Sequence, residues 1–332
     1  MFIKKLERRN TMIENDLREQ IVQCYEHTGN IVVVYDTDSA LSTRLVEEFK
    51  LAYPQGTFHL FGEDTKPFLD ALTPTMVVLI QSSSFRITKD RLRVDLCLKG
   101  HKVMEFVRLE RVQNVNVYLE ALRFDSPRYR ALGRWVSSLD GPITITSGDC
   151  TFTVPESDTW KFNDGYFDKL YSAGFPIGEA FTEAKDLDST NGTLKVFGFP
   201  NMDIKLQTVD PFTMKIENGR VVSHTGPQAF EDILQMIRDV EGDVIVREIG
   251  FGFNRAMGPG RTVAEPTAFE RFEGVHVSLG KKHALYRKKI SKKVYQKYHI
   301  DCFCMVEKIS IGDTMVFNGE FEAPQQSGDV TA

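Results

Sequence analysis

Two histidines and three acidic residues in the C-terminal half of this chain are of the types that hold metal ions. His299 and Asp301 stand in Tyr298-His299-Ile300-Asp301, His276 in Val275-His276-Val277, Glu248 in Arg247-Glu248-Ile249-Gly250, and Glu179 in Pro176-Ile177-Gly178-Glu179. Two imidazoles and three carboxylates form a nitrogen/oxygen ligand set. It suits zinc, cobalt, manganese or iron(II) rather than a thiolate site. Residues two apart on a strand face the same way, so His299 and Asp301 can offer one ion a nitrogen and an oxygen with little reorganisation. Two His and one carboxylate make a facial triad with open positions on iron(II). With Glu179 and Glu248 added, the oxygens suffice for two neighbouring ions. One ion and two ions both stay open at this point. Taken singly, a His-x-Asp pair is more often structural, and Glu248 could be just a charged strand residue.

The elements that must position these groups are legible in outline. Asp16 to His27 and Ser39 to Tyr53 have the apolar spacing of amphipathic helices. Ile31-Val32-Val33-Val34-Tyr35, Thr57 to Phe61, Met76 to Ile80 and Lys102 to Val107 read as strands, with a helical stretch at Leu92 to Lys99. Strands alternating with helices predict a βαβ layout and a parallel sheet. No dinucleotide or Walker A glycine pattern occurs here, so a Rossmann cofactor domain is unsupported. Asp36-Thr37-Asp38-Ser39 after the first strand is either a binding loop at a strand end or a turn with a helix N-cap.

After about Arg134 the pattern changes to β-branched and aromatic alternation, as in Pro142 to Thr146, Cys150 to Val154 and Thr193 to Phe197. Asn218-Gly219 and Asn318-Gly319 each predict a hairpin, and Gln228 to Val240 a helix. The fold expected is an α/β N-terminal domain with a parallel sheet, followed by a β-rich α+β domain. The boundaries expected are a flexible lead over 1–15, an α/β domain over 16–138, a metal-site domain over 139–323 and a disordered tail over 324–332. Met12 could be the true start.

The chain has 332 residues, 42% hydrophobic and 26% charged, which suits a soluble globular protein. No apolar run reaches the roughly 20 residues that span a bilayer, and the charged start is unlike a secretory signal. A cytoplasmic protein without membrane association is expected. A net charge of −5 gives no global field for nucleic acid. The exception is local: Lys281 to Lys297 holds eight basic residues and no acid. Within it Lys288, Lys289, Lys292 and Lys293 form either a solvated face or a rim that binds an acidic substrate or peptide. Five scattered cysteines argue against a disulfide framework. Cys302 and Cys304 share a strand face and read as buried small apolar residues, with a thiolate ligand as the alternative.

The order of the motifs resembles one family. Ala173 to Phe181, with Pro176, Gly178 and Glu179, resembles the P-x-G-E segment of the aminopeptidase T family of metallo-aminopeptidases. Glu248-Ile249-Gly250-Phe251-Gly252-Phe253-Asn254 is similar to its glycine-rich segment opening on Glu. Gly274 to Gly280 resembles its His-containing strand, Tyr298 to Asp301 its H-x-D segment, and Phe317 to Phe321 its closing hairpin. The resemblance covers roughly residues 142–321. It implies a two-metal hydrolase acting on peptide N-termini, with Glu179, Glu248, His276, His299 and Asp301 as ligands. Glu248 or Glu179 would bridge the ions or act as general base. It also implies a homodimer. A sister branch, the 2,5-dihydroxypyridine dioxygenase-like enzymes, implies one iron(II) on His276, His299 and Asp301, with an aromatic substrate stacking on Phe251 or Phe253. A third branch, the peptide-binding proteins of crocagin biosynthesis, implies peptide binding without cleavage. The chain departs from the enzymes at two points. A usual acidic pair before the His strand is replaced by the scattered acids of Phe269-Glu270-Arg271-Phe272-Glu273, and small polar residues before His299 are replaced by Lys and aromatic residues.

Overall fold

The computed structural model describes residues 13–167, 172–280 and 298–323. The apolar runs of the first half form a parallel sheet. Strands β1 (Val32–Tyr35), β2 (Thr57–Leu60), β3 (Met76–Ile80) and β4 (Lys102–Phe106) lie in the order β2-β1-β3-β4. Alternate side chains enter two cores: Val33, Val78 and Met104 face one, Val34, Leu79 and Val103 the other. Burial on both faces is why these strands read as continuous apolar runs. Helices Glu14–Tyr25 and Ala40–Ala52 cover the first face, and Leu92–Leu98 covers the second. Ser39 caps the helix Ala40–Ala52 in a reciprocal pair with Ser42. Asp36 lies buried, accepting from the backbone N–H and hydroxyl of Ser82 and from Asp38 N–H. The loop after β1 is thus a structural turn and helix cap.

The second half forms a large antiparallel sheet. Its strands are β5 (Ile143–Ser147), β6 (Cys150–Val154), β7 (Lys161–Asn163), β9 (Glu179–Glu183), β10 (Asn191–Pro200), β13 (Val246–Gly252), β14 (Gly274–Gly280), β15 (His299–Met305), β16 (Lys308–Ile311) and β17 (Thr314–Asn318). They run in the order β17-β16-β5-β6-β10-β15-β14-β13-β9-β7, with the hairpin β11 (Leu206–Glu217) and β12 (Arg220–His224) on β10. Asn218 and Gly219 turn that hairpin with positive φ, as expected. The second expected hairpin is corrected. Past Asn318-Gly319 the chain makes a single bridge, Phe317 to Phe321, and β17 pairs instead with β16. Phe321 is taken up by packing on Phe251 and Phe253 rather than by continuing a strand.

The two sheets are joined where the site will form. Strand β8 (Ser172–Gly174) pairs with β4 at the parallel edge, and after a connection of four residues the chain enters β9 of the antiparallel sheet. Tyr118 Oη donates to Phe175 O at 2.8 Å. Asn254 Nδ2 donates to Ala121 O at 2.8 Å. One continuous core includes residues of both sheets. No described helix is long and apolar enough to cross a membrane.

Candidate metal centre

Four adjacent strands, β9, β13, β14 and β15, carry the acidic and imidazole groups. In the register Glu248 lies opposite Ser278, which lies opposite Asp301, and His276 lies opposite Gly250. Directly opposed residues share a face, so these groups converge on one side of the sheet. Cys302 and Cys304 alternate to the opposite side of β15 and are buried there. That excludes a thiolate from this centre. Phe251 is turned away from Glu248 by the same alternation, onto Trp160, and Phe253 packs on Phe321. Both are fully buried, which corrects the expectation that they could stack on a substrate.

Two glycines of β13 let the site close. A Cβ on Gly250 would lie 2.0 Å from Cε1 of His276, so the glycine lets the imidazole lean across the strand toward β9. A Cβ on Gly252 would lie 2.0 Å from Phe272 O and 2.6 Å from Arg271 C. The turn after the short helix Pro266–Phe269 therefore packs with its backbone directly on β13. That approach delivers Glu270 and Arg271 to the centre.

The result is two overlapping compact groups. One ligand atom from each of Glu179, Glu248 and His276 lies within 4.8 Å of the others, and the same holds for Glu270, His276 and Asp301. His276 Nε2 is 3.3 Å from Glu179 Oε1 and 3.8 Å from Glu248 Oε1. His299 stands beside these groups, its Nε2 3.2 Å from Asp301 Oδ1, and is the more exposed of the two histidines. All five residues singled out in the sequence thus line one region, and Glu270 joins them. The acids of the 269–273 stretch are not simply scattered: one of them reaches the centre. In the sequence Gly252 signals a close backbone approach to this strand, because an isolated glycine in a strand marks one, but it does not name the residue that arrives. Lys288, Lys289, Lys292 and Lys293 lie outside the described residues.

The electrostatics are set by burial and by charges held close together. Glu179, Glu248, His276 and Asp301 are all at least 95% buried. Burial raises the Glu179 carboxyl above its usual range, opposed by Arg271 and His276 and reinforced by Glu248 and Asp301. Burial pulls the His276 imidazole down, but Glu248, Glu179 and Asp301 outweigh it and the net shift is upward. Asp301 goes the other way: burial is outweighed by His299, His276 and the Ser278 hydroxyl, leaving it well below the usual carboxylate range. Ser278 Oγ is 2.6 Å from Asp301 Oδ1 and 3.5 Å from Glu248 Oε1. A hydroxyl has one proton to give, and the shorter contact takes it. Both ring nitrogens of His276 and Oε2 of Glu248 are then buried without a hydrogen-bond partner among the described residues. Buried polar atoms are rarely left so, and an ion is a standard reason. The donor set and these orphaned atoms fit a divalent metal.

One resident cation belongs to the protein. Arg271 pairs with Glu270, approaches Glu179 Oε2 at 3.5 Å, and donates to Asn163 when that amide oxygen faces it. The centre opens into a cleft of about 660 Å³ between the two sheets, whose far wall carries Arg91, Arg93, Glu105 and Arg108.

No protein-family model and no curated protein matches the chain. Among solved structures it is similar to 2,5-dihydroxypyridine dioxygenase from Pseudomonas putida, with a TM-score of 0.60 and 17% identity over 96% of this chain and 97% of that one. It is also similar to wild-type AmpT, aminopeptidase T, from Thermus thermophilus, with a TM-score of 0.58 and 14% identity over 95% and 100%. The chain has an AmpT-like fold. At these identities the likeness establishes architecture and distant structural relationship, and function must be argued from the site.

Proposed function

We propose that this chain is a metal-dependent, aminopeptidase-like hydrolase acting on peptide N-termini. The observation that carries the reading is the pair of ligand groups, Glu179/Glu248/His276 and Glu270/His276/Asp301, sharing one imidazole. Four carboxylates with a shared histidine supply enough donors for two ions. Bound divalent metal would polarise the scissile carbonyl and lower the pKa of a water toward neutrality. The chain's own groups would do the rest. Ser278 orients Asp301. Glu248 Oε2 has no hydrogen-bond partner among the described residues, which makes Glu248 the best-placed general base, with Glu179 as the second carboxylate. The buried acids would also hold the ammonium group of a peptide N-terminus. The AmpT-like fold supports the reading at the level of architecture.

One observation favours a second reading. Arg271 already neutralises Glu179 and Glu270. If it stays there on loading, His276, His299 and Asp301 remain for a single ion, the ligand set of an iron(II) dioxygenase. The likeness to the dioxygenase structure is as close as that to AmpT. Elemental analysis of protein purified without chelator separates the two. About two equivalents of zinc, cobalt or manganese with release of N-terminal residues from peptides supports the hydrolase. One iron with oxygen uptake on dihydroxylated aromatics supports the dioxygenase. A protein that ignores added zinc, cobalt, manganese and iron overturns both.

A further inference from the structure

We propose that the wall of the cleft opposite the acidic strands is an anion subsite, in which Arg91 and Arg93 take a carboxylate of the substrate. This rests on reading the cleft as a substrate site, as above, and adds the substrate's class: a short peptide or amide that carries a carboxylate and fits wholly within the cleft. The volume of about 660 Å³ is within the range of small-ligand pockets.

Among the described residues, Arg91 and Arg93 bring more positive charge than the Glu105 they share neutralises. Arg91 Nη1 and Arg93 Nη1 lie 3.9 and 3.3 Å from the same oxygen of Glu105, which is buried. The other Glu105 oxygen accepts from Gln81 at 3.1 Å. A second pair repeats the pattern: Arg108 and Arg111 share the buried Glu265 at 2.9 and 3.3 Å. Arg111 also lies 3.9 Å from Glu110, whereas among the described residues Arg91 and Arg93 rest together on the one carboxylate of Glu105. Arg91 and Arg93 keep 35% and 29% of their side chains exposed. Each guanidinium has five donors in a planar fork that matches a carboxylate. Glu105 engages a fraction of them. Burial lowers the Arg91 pKa, and after Glu105's opposing pull Arg108, Arg93 and Arg86 lower it further, which is the mark of like charges held close.

The cleft is thus polar from side to side, acidic at the strands and basic at this wall. A peptide with an ammonium at one end and a carboxylate beyond it would be aligned by both. The carboxylate could be an acidic side chain or a free C-terminus.

The test uses the metal-free full-length protein, so that no ion competes for the carboxylate. Three probes are titrated calorimetrically at constant ionic strength: acetyl-alanine (C-terminal carboxylate), acetyl-glutamate N-methylamide with a blocked C-terminus (side-chain carboxylate) and acetyl-alanine amide (no carboxylate). At least one carboxylate probe should bind about tenfold tighter than the amide, as charge-assisted hydrogen bonds allow. The tighter of the two names the source. Arg91→Gln and Arg93→Gln should each remove most of the difference. Each leaves the other guanidinium on Glu105, and Arg93→Lys keeps the charge and should retain part of the preference if the fold is intact. Equal binding of all three probes, or an unchanged preference in both Gln variants, overturns the subsite. Failure of metal loading or peptidase activity would overturn the proposed hydrolase and leave this result standing, so the two fail separately.

Discussion

Asp36 at the end of β1 and Glu248 in β13 are both buried acids in places where function is often found. They differ in what surrounds them. Both oxygens of Asp36 are engaged, by two donors of Ser82 and the N–H of Asp38. Among the described residues, Glu248 keeps one oxygen without a hydrogen-bond partner, beside an imidazole whose two nitrogens also lack one. A buried carboxylate that is fully bonded holds a fold together. One left short of donors, next to other such groups, has the chemistry to bind a cation.

The largest expected effect breaks the comparison if it fails. His276→Ala should weaken metal binding by more than the roughly 10–100-fold typical of second-shell losses, since it removes the donor common to both groups. Asp36→Asn should leave metal content unchanged and lower stability by about 1–3 kcal/mol, the cost of an unsatisfied buried donor. Elemental analysis and thermal melts of the two variants read this directly. Equal metal loss in both would erase the distinction.

Next is the glycine that admits the imidazole. Gly250→Ala would put its Cβ into the His276 ring. Metal affinity should fall by about 10–100-fold, as for disturbed ligand orientation. Competition titration against a chromophoric chelator measures it, and unchanged affinity would show that the lean of the ring is unimportant.

Arg271→Gln sharpens the contrast from the opposite side. Removing the resident cation should raise metal affinity on the order of tenfold, or about 1.4 kcal/mol, in the same titration. A fall instead would mean that Arg271 orients the ligands rather than competing for them.

The smallest effect is a pH slope. Glu179 and His276 both hold protons more tightly in the folded metal-free protein than in the unfolded chain. Between the unfolded and the raised folded pKa values the native state therefore binds more protons, and stability falls as pH rises. Asp301 opposes this in strongly acid solution, where its contribution is lost as pH falls through its depressed folded pKa. The melting temperature of the metal-free protein should decline from about pH 5 to about pH 8. Excess metal, which needs these groups deprotonated, should flatten or reverse the slope. A flat profile without metal would contradict the assigned shifts.

Much of this was legible before the chain was folded. The apolar runs at residues 31–35 and 76–80 announced strands buried on both faces, because that pattern is local. Glu179, Glu248, His276, His299 and Asp301 could be singled out because ligand chemistry belongs to the residue type and their motifs stand in order. Glu270 could not be. It sits on a turn without periodicity, and its neighbours Arg271 and Glu273 gave no reason to prefer it. The Asn318-Gly319 pair misled for a related reason: it makes a turn, but Phe321 finds a better partner in the core than in a strand.

Composition and spacing thus announced the two kinds of sheet and marked the candidate donors, since periodicity and donor chemistry are short-range properties. Register and close approach settled the rest. His276 meets Glu179 because it leans over Gly250, and Glu270 and Arg271 arrive because Gly252 lets another backbone down onto the strand. Arg91, Arg93 and Arg108 of the opposite wall lie beside the parallel sheet, which meets the acids through the short crossing from β8 to β9. Those are distances through space between residues far apart in the chain, and they exist once the two sheets have packed.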